Sequence, residues 1–184
     1  MTRPHITDLL DGYARGEERA RAQIYERVYS ELKQIARQQL RRSGGFITMN
    51  PTTLLHETWL KLDRSPLDRV KSSAHFFNIF SQAMRHVLVD IARMKMSTRH
   101  GAGVVQIELD EQLQEPDLPL SDILAVDKAL TQLQAVDGEL AELVQWHFFG
   151  GISFSEIAKI RNITERTVRR HWNVARLFLL KAIE

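Results

Sequence analysis

Between positions 164 and 176 the chain gathers Thr164, Arg166, Thr167, Arg169, Arg170 and Arg176. Guanidinium forks suit phosphate oxygens and guanine edges, and threonines suit phosphates or thymine methyls. Val168, Trp172, Ala175 and Leu179 recur at helical spacing and form a buried stripe. The opposite face then carries Glu165, Arg166, Arg169, Arg170, Asn173 and Arg176. Just upstream, Ser153-Phe154-Ser155-Glu156 has the form of a capping box, a hydroxyl for an orphan amide and a Glu reaching back. A short helix with Ile157 and Ala158 follows, Arg161-Asn162-Ile163 turns the chain, and Thr164 caps a second helix. This is a helix-turn-helix whose second helix has a basic, exposed N-terminal half suited to a major groove. Trp172 belongs to its core rather than to a stacking platform.

Residues for catalysis are missing. The chain has no cysteine, which excludes disulfides, thiolate metal sites and cysteine nucleophiles and fits a reducing compartment. His56-Glu57-Thr58-Trp59-Leu60 begins like a zinc-peptidase motif but has Leu where the second His is needed. Gly101-Ala102-Gly103 lacks the third Gly and the preceding strand of a dinucleotide fingerprint. No nucleotide loop or Gly-x-Ser-x-Gly elbow occurs. No enzyme, metal or cofactor is expected.

The formal net charge of +2 hides a segregation. Residues 1–100 sum to +7, residues 101–145 to −9, and residues 146–184 to +4. Two basic segments thus flank an acidic one, and basic surfaces attract phosphodiester backbones. Solvated helix faces would give the same arithmetic. Gly101-Ala102-Gly103 and Glu115-Pro116-Asp117-Leu118-Pro119 punctuate the acidic stretch, so a linker is expected over 101–120. Fully extended, it reaches at most about 70 Å.

Helical periodicity runs almost throughout. Ile24, Val28, Leu32, Ile35 and Leu40 make one stripe, and Leu54, Leu55, Thr58, Trp59 and Leu62 a second. A third holds Phe76, Phe77, Phe80, Ala83, Met84, Val87, Leu88 and Ile91. Leu130, Leu133, Leu140, Leu143, Val144 and Phe148 continue beyond the linker. Weak alternation appears only from Val104 to Leu109. The expected fold is all-α: two small helical domains, 1–100 and 121–184, on an acidic tether. No apolar run approaches the roughly 20 residues that span a bilayer. Met1-Thr2-Arg3-Pro4-His5 leads into a polar segment, so a cytoplasmic location is expected.

The pattern Gly-Ile-Ser-Phe-x-Glu-Ile-Ala…Ile-Thr-x-x-Thr-Val-Arg resembles region 4 of the sigma-70 family, in its short extracytoplasmic-function (ECF) class. Asn50-Pro51-Thr52-Thr53-Leu54-Leu55-His56-Glu57-Thr58-Trp59-Leu60-Lys61-Leu62 resembles the region 2 helix that docks on the polymerase clamp. Met84 to Arg93 resembles the promoter-melting helix, with the family's Arg, Asp and Arg at Arg85, Asp90 and Arg93. The resemblance implies a transcription initiation factor that binds core RNA polymerase at its clamp and flap and is monomeric when free. Its helix-turn-helix would sit on the −35 element of promoter DNA. Its N-terminal domain would open the −10 element, with backbone contacts from Arg85, Arg93, Lys95 and Arg99. A basic groove with aromatics suits a displaced strand, but Phe76, Phe77 and Phe80 share a helical face and are assigned mostly to the core. On the docking helix, Asn50, Thr52, Thr53, His56, Glu57 and Lys61 are the polymerase-facing candidates.

One departure stands out. The family's docking helix opens with Asp-Ala-Glu-Asp, and here the matching residues are Asn50-Pro51-Thr52-Thr53. The resemblance assigns those carboxylates to basic side chains on the clamp, so their loss should weaken docking. Truncating one partner of a desolvated charge pair costs about 2–5 kcal/mol. Asn50 as N-cap and Pro51 at the first helical position make a sound helix start with no further role for the threonines. Alternatively a Ser/Thr protein kinase phosphorylates Thr53 or Thr52. A phosphate brings about −1.5 to −2 charges and three acceptor oxygens to a helix N-terminus that favours them. ECF branches without the acidic motif are thought to be switched in this way, and Thr53 aligns with the last Asp.

Two readings from other classes remain. A helix-turn-helix regulator that is not a polymerase subunit would bind DNA alone, at palindromes if dimeric. A decoy that sequesters polymerase would keep the docking helix but would not need Arg166, Arg169 and Arg170.

Overall fold

A computed structural model describes residues 6–16, 29–30, 32–41, 49–61, 71–99 and 120–183. Among these residues every regular element is helical, as the periodicity requires. In chain order they are α1 (Ile6–Ala14), α2 (32–41), α3 (Pro51–Lys61) and α4 (Ser73–Arg99), then α5 (Leu120–Val136) and α6 (Gly138–Val144). A π-helical turn (Gln145–Phe149) extends α6, and α7 (Phe154–Arg161) and α8 (Glu165–Ile183) complete the chain. Ile24, Val28, Leu62 and the linker residues 101–119 lie outside the described residues. Helix α5 begins at Leu120, the last position assigned to the linker.

Helix α4 is the spine. Its 27 residues rise about 40 Å. Its N-terminus is capped twice: Ser73 N–H donates to Asp11 Oδ1 at 2.7 Å, and His75 N–H donates to Ser72 Oγ at 3.2 Å. Phe76, Phe77, Phe80, Ala83, Met84, Val87, Leu88 and Ile91 are all buried, and so are Val89 and Ala92 off the main stripe. A helix apolar on more than one face must be covered on more than one face. Helices α1 and α3 cover one side of α4, and α5 and the π turn cover another. Phe76 stacks on Phe80 with centroids 6.0 Å apart and meets Phe77 edge-on at 5.6 Å. Each buried side chain of this size stabilises by about 1.5–3 kcal/mol.

The apolar core is contiguous from Leu10 on α1 through α4 to Leu179 on α8. The sequence reading treats the two basic segments as separate bodies; here α5 and the π turn lie directly on α4. Asp137 separates α5 from α6 and caps α6, accepting from Leu140 N–H at 3.0 Å. The π turn closes with Gly150 N–H on the Gln145 carbonyl at 3.0 Å. Wide turns of this kind redirect the carbonyls at a helix end. Those of Phe148 and Phe149 accept from Gln39 Nε2 on α2, at 2.6 and 3.2 Å. Backbone approach is close here: a Cβ on Gly150 would lie 2.6 Å from the Trp146 carbonyl oxygen and 3.0 Å from Ser81 Cβ. Gly is needed for space. No helix among the described residues is long and apolar enough to cross a membrane.

Candidate nucleic-acid interface

Helix α7 starts as its sequence requires. Glu156 N–H donates to Ser153 Oγ, and Ser153 N–H donates back to Glu156 Oε2, both at 3.3 Å. The helix ends at Asn162, whose φ of 51° is left-handed and directs the chain into α8. Thr164 then caps α8 by accepting from Thr167 N–H at 3.2 Å, and the two hydroxyls lie 2.9 Å apart. Val168, Ala175 and Leu179 are buried. Trp172 is half-buried, 5.7 Å from Phe154 and 4.8 Å from the buried His147 ring. Arg161 anchors the turn from beneath, donating to the Glu139 carbonyl at 2.8 Å and to Glu142 at 3.0 Å. Its guanidinium lies 5.1 Å from the Trp146 ring centroid.

This packing turns the basic face of α8 outward. Thr164, Arg166, Arg169, Arg170 and Arg176 are exposed, and Thr167 is half-buried. They are not equally available. Arg169 is clamped by Glu165, with Nε and Nη2 at 3.0 and 2.7 Å from Oε1, and lies 4.9 Å from the Phe154 ring centroid. Arg166 and Arg170 make no ion pair among the described residues, which leaves their forks free for phosphate or base edges.

The α3 candidates share a second surface. Asn50 caps α3 by accepting from Thr52 N–H at 2.9 Å, and Pro51 occupies the first helical position. Leu54, Leu55 and Thr58 face inward; Thr53, His56, Glu57, Leu60 and Lys61 face out, and Thr52 is half-buried. The first turn of α3 carries no acidic residue. Lys61 Nζ reaches Asp90 on α4 at 3.0 Å, linking the edge of this surface to α4.

On α4 the four basic candidates fare differently. Lys95 is half-buried, and the Arg99 side chain lies outside the described residues. Arg93 is exposed, with Nη2 3.8 Å from Asp127 Oδ2. Arg85 is turned into the protein: Nε donates to Asp127 Oδ1 at 2.7 Å, and Nη2 donates to the Asp127 carbonyl and to Thr131 Oγ1, each at 3.0 Å. Asp127, Thr131, Gln145 and Gln39 were not singled out by the sequence reading. One signal was available for Asp127: it stands four residues after Ile123 and three before Leu130, a carboxylate at core-facing spacing.

The basic faces of α4 and α8, the exposed face of α3 and the helical core among the described residues agree with the family comparison. The model for ECF sigma factors matches residues 3–184. No curated protein and no solved structure matches the chain. The matched family directs RNA polymerase to promoters and is not enzymatic, and a match over nearly every residue settles membership: the chain belongs to the ECF sigma factor family.

Proposed function

We propose that this sigma factor docks on core RNA polymerase through α3, and that phosphorylation of Thr53, or of Thr52, completes the docking surface. Helices α7 and α8 bind the −35 element through Arg166, Arg170 and Arg176, with Arg169 and the Thr164–Thr167 pair in support. Helix α4 serves the −10 element through Arg85, Arg93, Lys95 and Arg99. The region before Gly101 acts as the polymerase-binding and melting half, and the region after Leu120 as the −35 half.

The observation that carries the switch is the electrically empty first turn of α3, at the place where the family has carboxylates. Pro51 has no N–H and that of Thr52 is bonded to Asn50, so what favours a dianion there is the positive end of the helix dipole together with the Thr53 N–H. The geometry favours Thr53 over Thr52. Thr53 is exposed, whereas Thr52 is half-buried and its N–H is already bonded to Asn50. A kinase must enclose the hydroxyl it modifies, so the more open side chain is the better substrate.

Run-off transcription with purified core polymerase tests this, with and without prior kinase treatment of the sigma factor. Phosphorylated wild type should support transcription, and Thr53→Ala should lose the stimulation while keeping the untreated level. Glu at position 53 should restore little, since one carboxylate carries less charge and fewer acceptors than phosphate. Full stimulation of both Thr53→Ala and Thr52→Ala would eliminate the switch. Run-off activity without any kinase would show that α3 docks as it stands.

A further inference from the structure

We propose that Asn173 of α8 reads an adenine in the major groove and so sets part of the base preference of this chain. The inference rests on the reading of α8 as the −35 helix and adds a specificity-determining residue to it.

A helix lying along the major groove can reach base edges from positions i, i+3, i+4 and i+7. Counted from Arg166, those positions on α8 are Arg169, Arg170 and Asn173, and all four side chains are exposed. Asn173 stands about 10 Å along the helix axis from Arg166. At 3.4 Å per base pair this is about three base pairs. The backbone is fixed on both sides of it, since Trp172 is half-buried and Ala175 is buried. Farther along the same row, Leu177 and Leu180 are exposed but carry no hydrogen-bonding group. Asn173 is therefore the last side chain of this row that can hydrogen-bond a base.

Its amide is free for the purpose. Among the described residues the Asn173 side chain makes no hydrogen bond. Asparagine is a poor helix former because its amide competes for backbone groups, and here it stands at the ninth position of a 19-residue helix, neither a cap nor a turn. No contact among the described residues offsets that cost. Phosphates do not explain it either. A neutral amide releases no counterions, so it adds nothing to the long-range attraction of the basic face. Base edges give it a use. Adenine presents the N7 acceptor beside the N6 donor, so Asn Nδ2 donates to N7 while Oδ1 accepts from N6. Guanine shows two acceptors, N7 and O6, and leaves Oδ1 without a donor. Cytosine shows one donor and thymine one acceptor. Only adenine satisfies both ends of the amide at once.

Randomised duplexes bound by the full chain and sequenced give the preferred site. Fluorescence anisotropy against single-base variants of that site then measures each position. Wild type should prefer adenine about tenfold at one position, about three base pairs from the position whose preference disappears in Arg166→Ala. Asn173→Ala should cut the adenine preference to about twofold or less and leave the other positions as they were. Its melting temperature should not fall, because Ala is the better helix former. Asn173→Asp keeps the acceptors and loses the donor. It should bind DNA more weakly overall, through its charge, and shift the preference at that position to cytosine, whose N4 donates. A merely structural asparagine would give neither a loss confined to one position nor an exchange of bases. An equal loss at every position in Asn173→Ala would make Asn173 a phosphate contact and overturn the proposal. An unchanged profile would overturn it as well, and either result leaves Arg166 and Arg170 as −35 readers. A wild type with no preference at any position overturns the −35 reading of α8 together with the role of Asn173.

Discussion

Helices α4 and α8 present the same residue type in opposite circumstances. On α8, Arg166 and Arg170 project from a helix whose start is set by neighbours close in sequence, the α7 capping box, the Asn162 turn and the Thr164 cap, while its buried face packs on α5 and α6. On α4, Arg85 is covered by residues that follow it by 42 to 60 positions. The basic N-terminal half of α8 therefore stands open. The availability of Arg85 on α4 depends on how α5 and the π turn are placed.

The comparison breaks most visibly if the two helices do not share one core. Phe149 is fully buried beside α4, packs edge-on against Phe148 at 4.8 Å, and lies next to Arg85. Phe149→Ala should cost about 3–5 kcal/mol. The loss should appear in a single urea transition, followed both by far-UV circular dichroism and by tryptophan fluorescence. Trp59 on α3 reports one half, and Trp146 in the π turn and Trp172 on α8 report the other. Separate transitions for the two probes would mean that the halves fold as independent bodies and that α4 is not under remote control.

The open state of α8 is sharpened by removing its free arginines one at a time. Arg166→Ala or Arg170→Ala should weaken binding to the cognate −35 duplex by about 1–3 kcal/mol if the residue reads a base. The loss should then concentrate at one base-pair position. If it contacts phosphate, the loss should be uniform across sequences and the salt slope should fall by about one unit. Fluorescence anisotropy against a set of single-base variants at two salt concentrations separates the two roles.

A smaller effect is expected where α7 begins. Ser153→Ala removes the acceptor for Glu156 N–H and should cost about 1 kcal/mol. Since α7 supports the turn into α8, −35 binding should weaken in proportion, while oligonucleotide binding by α4 should not change. Thermal melting together with the two binding assays measures all three quantities.

What the sequence made legible follows the same local and remote division. The capping box, the Thr164 cap and the Asn50-Pro51 helix start are written in residues close together and form as read, and the α8 stripe is buried at Val168, Ala175 and Leu179 with Trp172 half-buried. The phenylalanines of α4 share a helical face in the sequence and are buried in the structure. Arg85 shows the other case. Its motif gives its residue type and its helix, but its hydrogen bonds go to Asp127, Thr131 and Gln145, whose approach is set by how the halves pack. Gln39 was equally silent, since a glutamine on an amphipathic helix has no pattern that announces a distant carbonyl. The π turn adds a register change that a period of 3.6 residues cannot anticipate.

The finest distinction lies within α8, between Arg169 and its free neighbours. Glu165 holds Arg169 through two hydrogen bonds to one carboxylate oxygen, in an ion pair whose side chains are 59% and 43% exposed. An exposed pair one turn apart contributes only about 0.3–0.5 kcal/mol. Glu165 adds a few tenths more by lying in the first turn, where the helix dipole favours a negative charge. Glu165→Gln should therefore lower stability by less than about 1 kcal/mol. For DNA the sign reverses: the variant removes a carboxylate that repels phosphate and releases a guanidinium to contact it. Affinity for duplex DNA should rise by a few fold, and the salt slope should steepen by about one unit if Arg169 gains a phosphate. Unchanged affinity with the expected small loss of stability would show that Arg169 is held by Phe154 rather than by Glu165. The clamp would then be a packing feature of the α7–α8 corner and not a restraint on DNA binding.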